Sequence, residues 1–176
     1  QITNKEIPMA FDFGKLKILI AEDTRPMRQL VRNVLEAVDI TNIEEADNGE
    51  EAFQKIGMQN PDIVIVDWDM EPVNGRELTE LIRRSPMSPN RLVPIIFLTG
   101  YSSAKKVVQD RDIGVTEFIV KPITASDLAK RIAYVINRPR DFIDCETYFG
   151  PDRRRKKDDG SCEHKRRYTD WEDEYA

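Results

Sequence analysis

Cysteine and histidine are almost missing from this chain. Its 176 residues include two cysteines, Cys145 and Cys162, and one histidine, His164, all in the C-terminal part. These three residues lack a fourth ligand and a usual zinc spacing, so we expect no zinc site. A disulfide framework is also excluded, because neither cysteine is placed to cross-link a core. The scarcity favours reduced thiols and a cytoplasmic protein.

Long apolar runs and an excess of positive charge are also absent. No stretch approaches the ~20 apolar residues that a membrane span needs, so we expect no membrane insertion. The net charge is −5, which argues against nucleic-acid binding by the protein as a whole. With 40% hydrophobic residues, the chain can still bury one core. One globular domain is therefore expected.

Short apolar runs alternate with segments of helical periodicity along the chain. The runs cover residues 17–21, 43–46, 63–66, 93–98 and 117–120. The helical segments cover residues 26–38, 49–56, 75–84, 103–112 and 126–137. Such alternation predicts an α/β fold in which helices cover both faces of a doubly wound, five-stranded parallel sheet.

The composition changes after residue 138. Residues 139–176 are rich in both basic and acidic side chains and poor in apolar ones, so they cannot form a core of their own. We therefore expect an N-terminal leader over residues 1–14, a folded domain over residues 15–138, and a charged, flexible C-terminal tail over residues 139–176.

Polar residues stand where the predicted strands end. Glu22 and Asp23 follow the first strand, Asp67 follows the third, Thr99 the fourth and Lys121 the fifth. Because the carboxyl ends of parallel strands share one edge of the sheet, these side chains should meet in one pocket. Clustered carboxylates repel one another and need a cation nearby. Magnesium fits, since it prefers oxygen ligands and commonly bridges a protein carboxylate to a phosphate.

The predicted pocket carries the groups that phosphoryl transfer requires. Asp67 would be both a metal ligand and the nucleophile toward phosphorus. Lys121 can reach the phosphoryl oxygens, and the Thr99 hydroxyl can donate a hydrogen bond to one of them. Catalysis would then consist mostly of positioning and charge neutralisation.

These motifs, in this order, resemble the receiver domains of bacterial two-component systems, in particular the single-domain chemotaxis type. The matching segments are ILIAEDTRPMR, PDIVIVDWDMEPVNG, IIFLTG and EFIVKPI, and the resemblance covers residues 15–137. It implies a flavodoxin-like (βα)5 receiver fold and a role in phosphorelay signalling. A sensor histidine kinase or phosphotransfer protein would supply the phosphoryl group, and a downstream protein target would respond. Such a protein is a switch rather than an enzyme. The resemblance does not decide whether it forms a homodimer.

The resemblance also assigns roles to single residues. The implied ligands of Mg²⁺ are Glu22, Asp23, Asp67 and Asp69, the last through its backbone carbonyl. Asp67 becomes the phosphoacceptor, Thr99 the switch hydroxyl and Lys121 the phosphate-binding cation. Phe118 takes the place of the aromatic residue that rotates inward on activation, and Pro122 would follow a cis peptide bond.

Two departures from the family pattern lie close to these residues. The family usually has Met-Pro shortly after the acceptor, whereas this chain reads Met70-Glu71-Pro72, so the conformation of this loop stays open. Gly100 stands where the family commonly has alanine after the switch hydroxyl. A glycine at that position is small enough to keep the space around the switch hydroxyl, so we expect the conformational switch to remain functional.

Other interpretations of the same residues remain. Asp23 or Thr24 could simply cap the first helix, and Phe118 could be an ordinary core residue. The Asp67-Trp68-Asp69 motif also resembles the nucleophile motif of haloacid-dehalogenase-type phosphatases, although that motif would lie on a first strand. A third alternative is a phosphorylation-independent scaffold or interaction module.

The tail has no assigned purpose in the sequence. It is too short for a typical winged-helix DNA-binding domain, and its acidic residues balance its basic ones. We predict that the basic run 153–157 docks on, or releases from, the face made by the fourth helix, the fifth strand and the fifth helix when the domain is activated.

Overall fold

A parallel sheet with helices on both faces organises the protein. The computed structural model describes residues 12–100, 113–146 and 148–152. Within these ranges, the sheet has five strands in the order β2-β1-β3-β4-β5, all parallel. The strands are β1 (Lys17–Ala21), β2 (Asn42–Ala46), β3 (Ile63–Asp67), β4 (Ile95–Thr99) and β5 (Glu117–Val120). The helices are α1 (Arg25–Glu36), α2 (Gly49–Gln59), α3 (Gly75–Arg84) and α4 (Ala125–Asn137).

The predicted fold class is therefore confirmed. The helix expected over residues 103–112 lies outside the described residues. Among those that the structure describes, no helix combines the length and the apolar character that a bilayer crossing requires.

Two apolar layers, one on each face of the sheet, hold the domain together. On one face, Val31 and Leu35 of α1 and Leu128 and Ile132 of α4 pack against the sheet. On the other face, side chains of α2 and α3 such as Ile82 do the same. Every residue of β3 and β4 is buried, which is why these strands read as continuous apolar runs.

Some element boundaries differ from the prediction for local reasons. β4 begins at Ile95 rather than at 93, because Pro94 has no N–H to donate to the sheet. The carbonyl of Pro94 still accepts a hydrogen bond from Val64 N at 2.9 Å. α1 ends at Glu36 rather than near 38, because the chain reverses at Asp39, whose φ is 65°.

A feature absent from the prediction follows α4. Residues Phe142–Cys145 form β6 and residues Tyr148–Pro151 form β7, and the two strands pair in an antiparallel hairpin. The composition of residues 139–176 indicated flexible chain throughout, whereas the first part of this segment is an ordered hairpin. Cys145 at the end of β6 is disulfide-bonded, so the expectation of reduced cysteines does not hold for this residue.

Candidate functional site

Three carboxylates meet at the edge of the sheet where β1 and β3 end. Glu22, Asp23 and Asp67 each offer an oxygen, and these atoms lie within 4.8 Å of one another. Glu22 is 1% exposed and Asp67 5%, while Asp23 is partly exposed. The sheet order produces this cluster because β1 and β3 are hydrogen-bonded neighbours with Ala21 opposite Val66.

The two oxygens of Glu22 have different surroundings. Oε1 accepts hydrogen bonds from Thr24 N at 3.0 Å and from Thr24 Oγ1 at 2.6 Å. Oε2 is buried and accepts no hydrogen bond, although Lys121 Nζ lies 3.7 Å away. Burial raises the pKa of Glu22, and the nearby Asp67 adds to this effect while Thr24 and Lys121 oppose it.

Thr24 occupies the N-cap position of α1 but does not cap the helix with its side chain. Its hydroxyl instead donates to Glu22. The helix-cap interpretation of this acidic segment therefore loses its main support.

Lys121 provides the positive charge of the pocket. Its Nζ donates to Asp67 Oδ1 at 2.6 Å, and its side chain is 24% exposed. Burial raises the pKa of Asp67, and the carboxylates of Asp69 and Asp23 raise it further, whereas Lys121 lowers it. The Lys121–Pro122 peptide bond is cis, as the resemblance implied.

The remaining predicted residues surround this centre. Thr99 is fully buried at the end of β4, and its hydroxyl donates to Gly100 O at 3.2 Å rather than to Asp67. Phe118 is partly buried in β5 and packs against the core on the α2 and α3 face. Trp68 packs edge-to-face on Phe97, with ring centroids 5.3 Å apart. Asp69 is exposed, two residues beyond Asp67.

The loop after Asp67 contains a second cis peptide bond, Glu71–Pro72, at the place where the sequence departs from the family pattern. The loop leads into α3, which begins with a capping box between Asn74 and Glu77. The first residue of this helix, Gly75, lies against the acceptor strand. A Cβ at Gly75 would be 2.5 Å from Asp67 O, so a side chain here would displace the backbone of the acceptor.

Sequence reasoning missed two residues that position the site. Gly75 is one, and its signal was an Asn-Gly step immediately before a helical segment. Arg28 is the other: its Nη1 donates to Glu22 O at 2.6 Å and its Nε to Glu45 Oε2 at 3.1 Å. Arg28 thereby ties the acidic turn after β1 to the edge strand β2. Nothing in the sequence distinguishes it from the neighbouring arginines.

The donor set fits a hard divalent cation such as Mg²⁺. Glu22 Oε2 is a buried anionic oxygen without a hydrogen-bond donor, and a cation between the three carboxylates would satisfy it. Burial raises the pKa of both Glu22 and Asp67 although Lys121 lowers it, so a further cation would favour their charged forms.

The response regulator receiver domain family matches residues 18–133 of this chain. The chain belongs to this family. The chemotaxis protein CheY of Pseudomonas aeruginosa is 29% identical over 123 residues, which cover 70% of this chain and 98% of that protein. Chemotaxis protein CheY-3 of Vibrio cholerae is 30% identical over 123 residues, which cover 70% of this chain and 93% of the relative.

The solved structures agree with this assignment. Chemotaxis protein CheY4 of Vibrio cholerae superimposes with a TM-score of 0.61 at 29% identity, covering 68% of this chain and 98% of that structure. A response regulator receiver is a phosphorelay signalling domain, and that is the function class of this protein. The family match ends at residue 133, so the hairpin of β6 and β7 lies beyond it.

Proposed function

We propose that Asp67 is the phosphoacceptor of this receiver and that the neighbouring residues serve the roles assigned from the sequence. The observation that carries the proposal is the contact of Lys121 Nζ with Asp67 Oδ1 at 2.6 Å, inside a cluster of three carboxylates. Asp67 alone is at once a buried carboxylate of the cluster, the end of a central strand and the partner of the lysine.

The chain's residues perform the transfer by positioning and by charge. An oxygen of the ionised Asp67 attacks phosphorus, a new O–P bond forms, and the bond from phosphorus to the donor's leaving group breaks. Lys121 first holds the carboxylate and then the phosphoryl oxygens, since its ammonium can turn toward the larger negative charge. The Thr99 hydroxyl can rotate from Gly100 O to a phosphoryl oxygen.

Mg²⁺ would be held by the carboxylates of Glu22, Asp23 and Asp67 and by the backbone carbonyl of Asp69. When bound, it supplies neutralisation of the charge that the carboxylates and the phosphoryl group bring together. The chain promotes only its own phosphorylation and dephosphorylation in this proposal, so it is a switch and not an enzyme acting on other molecules.

The partners follow from this chemistry. A sensor histidine kinase or phosphotransfer protein presents the phosphoryl group, and a downstream protein target reads the changed surface. A groove of about 580 Å³ between β5 and α4 offers such a surface. It is lined by Phe118, Ile119, Val120, Asp127, Lys130, Arg131 and Tyr134. A cytoplasmic location stays a prediction, as does the absence of nucleic-acid contacts.

Intact-mass measurement with a small phosphodonor and magnesium tests the proposal. The wild-type chain should gain one phosphoryl group, and Asp67→Asn should gain none because the nucleophile is lost. Asp39→Asn is a matched control, since it makes the same change at an exposed turn after α1. Retention of the full mass gain by Asp67→Asn would contradict the assignment.

Magnesium titration of Asp23→Ala tests the metal ligands separately. The variant loses one anionic ligand, so magnesium should bind more weakly and phosphorylation should slow in parallel. An unchanged titration would remove Asp23 from the site. Steady release of phosphate from small phosphoesters would instead favour the phosphatase alternative, and failure of the wild type to bind magnesium would favour the scaffold.

A further inference from the structure

The hairpin of β6 and β7 docks at the end of the sheet where β4 and β5 begin, opposite the end that holds Asp67. Its backbone touches Gly114, which lies three residues before β5 and has a φ of +93°. A Cβ at Gly114 would lie 2.8 Å from Phe149 O, and one at Gly150 would lie 2.6 Å from Gly114 Cα. Two facing glycines therefore allow the strand β7 to approach the receiver at backbone distance.

Two arginines of the receiver stack on the two phenylalanine rings of the hairpin. The guanidinium carbon of Arg83 lies 5.1 Å from the ring centre of Phe142, and that of Arg91 lies 3.8 Å from the ring centre of Phe149. The rings contact each other at 5.7 Å. Cation–π contacts of this kind are stronger where the cation is shielded from water, as Arg83 is.

Arg83 is an unusual residue to bury. It is fully buried and donates to Gly114 O at 2.9 Å and Arg91 O at 2.7 Å, but its Nη2 has no hydrogen-bond acceptor. Burial lowers the pKa of Arg83 to about 9, so it remains charged at neutral pH. An unsatisfied buried donor opposes the docked arrangement, because water would satisfy that donor if Arg83 were uncovered.

A buried carboxylate connects the docked segment to β5. Glu117, the first residue of β5, is 5% exposed. Its Oε1 accepts from Arg140 Nη2 at 2.6 Å and its Oε2 from Arg131 Nη1 at 3.2 Å. Arg140 belongs to the segment that leads into the hairpin. The four-residue strand β5 thus has Glu117 at one end and, immediately after its other end, Lys121 on Asp67.

The hairpin also depends on the receiver for its own order. Two paired four-residue strands are marginally stable in water at best, so β6 and β7 need the surface formed by Arg83, Arg91 and Gly114. Protection of the hairpin's amides therefore reports docking, and any change at that surface should alter it.

We propose that residues 139–146 and 148–152 are a docked latch that holds the start of β5 and thereby favours the position of Lys121 that binds a phosphoryl group. The latch and phosphorylation of Asp67 then stabilise each other, because a strand fixed at Glu117 has fewer positions available at Lys121. This inference rests on the proposed role of Asp67. Coupling between binding events is reciprocal, so each event must change the other by the same factor.

Gly150→Ala is the sharpest perturbation of the latch. The added Cβ would collide with Gly114 Cα and with Tyr148 Oη, while the backbone at Gly150 does not have the positive φ that favours glycine. Gly57→Ala is the matched control, since its Cβ would meet Pro89 at an ordinary 3.6 Å. Beryllofluoride with magnesium serves as the phosphoryl mimic, and hydrogen exchange of residues 142–151 reports docking.

We expect beryllofluoride to raise hairpin protection in the wild type, and Gly150→Ala to weaken beryllofluoride binding by about fivefold or more. Gly57→Ala should change neither. Arg140→Gln, which removes the ion pair to Glu117 without adding bulk, should act like Gly150→Ala if the latter fails to fold. Arg138→Gln is its control, since that guanidinium lies over Tyr134 instead.

Three results would overturn the inference. One is unchanged beryllofluoride affinity when exchange shows the hairpin undocked, which would make the hairpin a passive cap. Another is tighter beryllofluoride binding after undocking, which would reverse the sign of the coupling. The third is full hairpin protection in both variants, which would refute the docking contacts. If the wild type fails to bind beryllofluoride at all, the proposed function fails with it, and this outcome is recognisable because the control variants fail too.

Discussion

Replacing Lys121 by methionine separates two effects of its ammonium group. The ammonium stabilises the phosphoryl oxygens, and it competes with magnesium for the carboxylates. Lys121 Nζ donates to Asp67 Oδ1 at 2.6 Å and lies 3.7 Å from Glu22 Oε2, so its charge competes with magnesium for these two carboxylates. Lys121→Met keeps most of the length of the side chain and removes the charge. We expect phosphorylation to slow, because the phosphoryl oxygens lose their cation, while magnesium binds more tightly, because its competitor is gone.

The expected size of the magnesium effect follows from the contact. A hydrogen bond to a charged group contributes about 1.5–3 kcal/mol net, and a side chain that is 24% exposed belongs toward the lower end of this range. If magnesium binding weakens that interaction by half, which is roughly 0.75–1 kcal/mol, removing the ammonium tightens magnesium binding by roughly three- to fivefold. In the absence of magnesium, by contrast, Lys121→Met should destabilise the fold. Asp67 and Glu22 lose their cation, so their pKa values rise further and the free energy of unfolding falls.

Fluorescence of Trp68 provides the assay, since its indole packs on Phe97 directly after Asp67. The chain has a second tryptophan, Trp171, so the titrations are made in a Trp171→Phe background. Lys130→Met, an exposed lysine of α4, is the control for general loss of charge. Urea unfolding with and without magnesium gives the stability readout. Magnesium affinity that is unchanged or weaker in Lys121→Met would refute the competition argument.

Two further predictions concern Glu51 in α2 and Thr99 at the end of β4. Glu51 is bound by Lys55 Nζ at 2.7 Å and by Asp47 N at 2.9 Å, and these contacts lower its pKa to about 2. Its stabilisation is present above about pH 4.5 and lost as the pH falls toward 2. Glu51→Gln should therefore lower the free energy of unfolding, measured by urea denaturation, by up to about 1 kcal/mol at pH 6 and by less at pH 3. An equal loss at both values would contradict this assignment. Thr99→Ala should leave Asp67 phosphorylation within a few-fold of wild type, because the hydroxyl contacts Gly100 O rather than Asp67, but should abolish the change in hydrogen exchange that beryllofluoride causes in β5. A retained response in β5 would exclude Thr99 as the switch hydroxyl.

Much of the fold was predictable because its signals are local. β3 and β4 are buried on both faces, so their residues form uninterrupted apolar runs whatever the rest of the chain does. The start of α3 carried its own capping residues, Asn74 and Glu77, and its predicted bounds agree with the structure. Errors in other boundaries came from single residues, such as Pro94 before β4.

The hairpin was not predictable in this way. β6 and β7 are four residues each, too short for an apolar period to identify them as strands. Their order depends on partners far away in the sequence, namely Arg83, Arg91 and Gly114. The local propensity of a segment to form a strand does not indicate such long-range contacts.

The sequence by itself determined the α/β class and which polar residues stand at strand ends, because burial and periodicity act on neighbouring residues. It also determined the chemistry available at that edge: carboxylates, one hydroxyl and one lysine. Only the tertiary structure decided that Lys121 contacts Asp67, that Arg28 ties down the turn bearing Glu22, and that residues after α4 fold back on the start of β5. Each of these contacts joins residues from different elements, and their distances depend on the packing of the whole sheet.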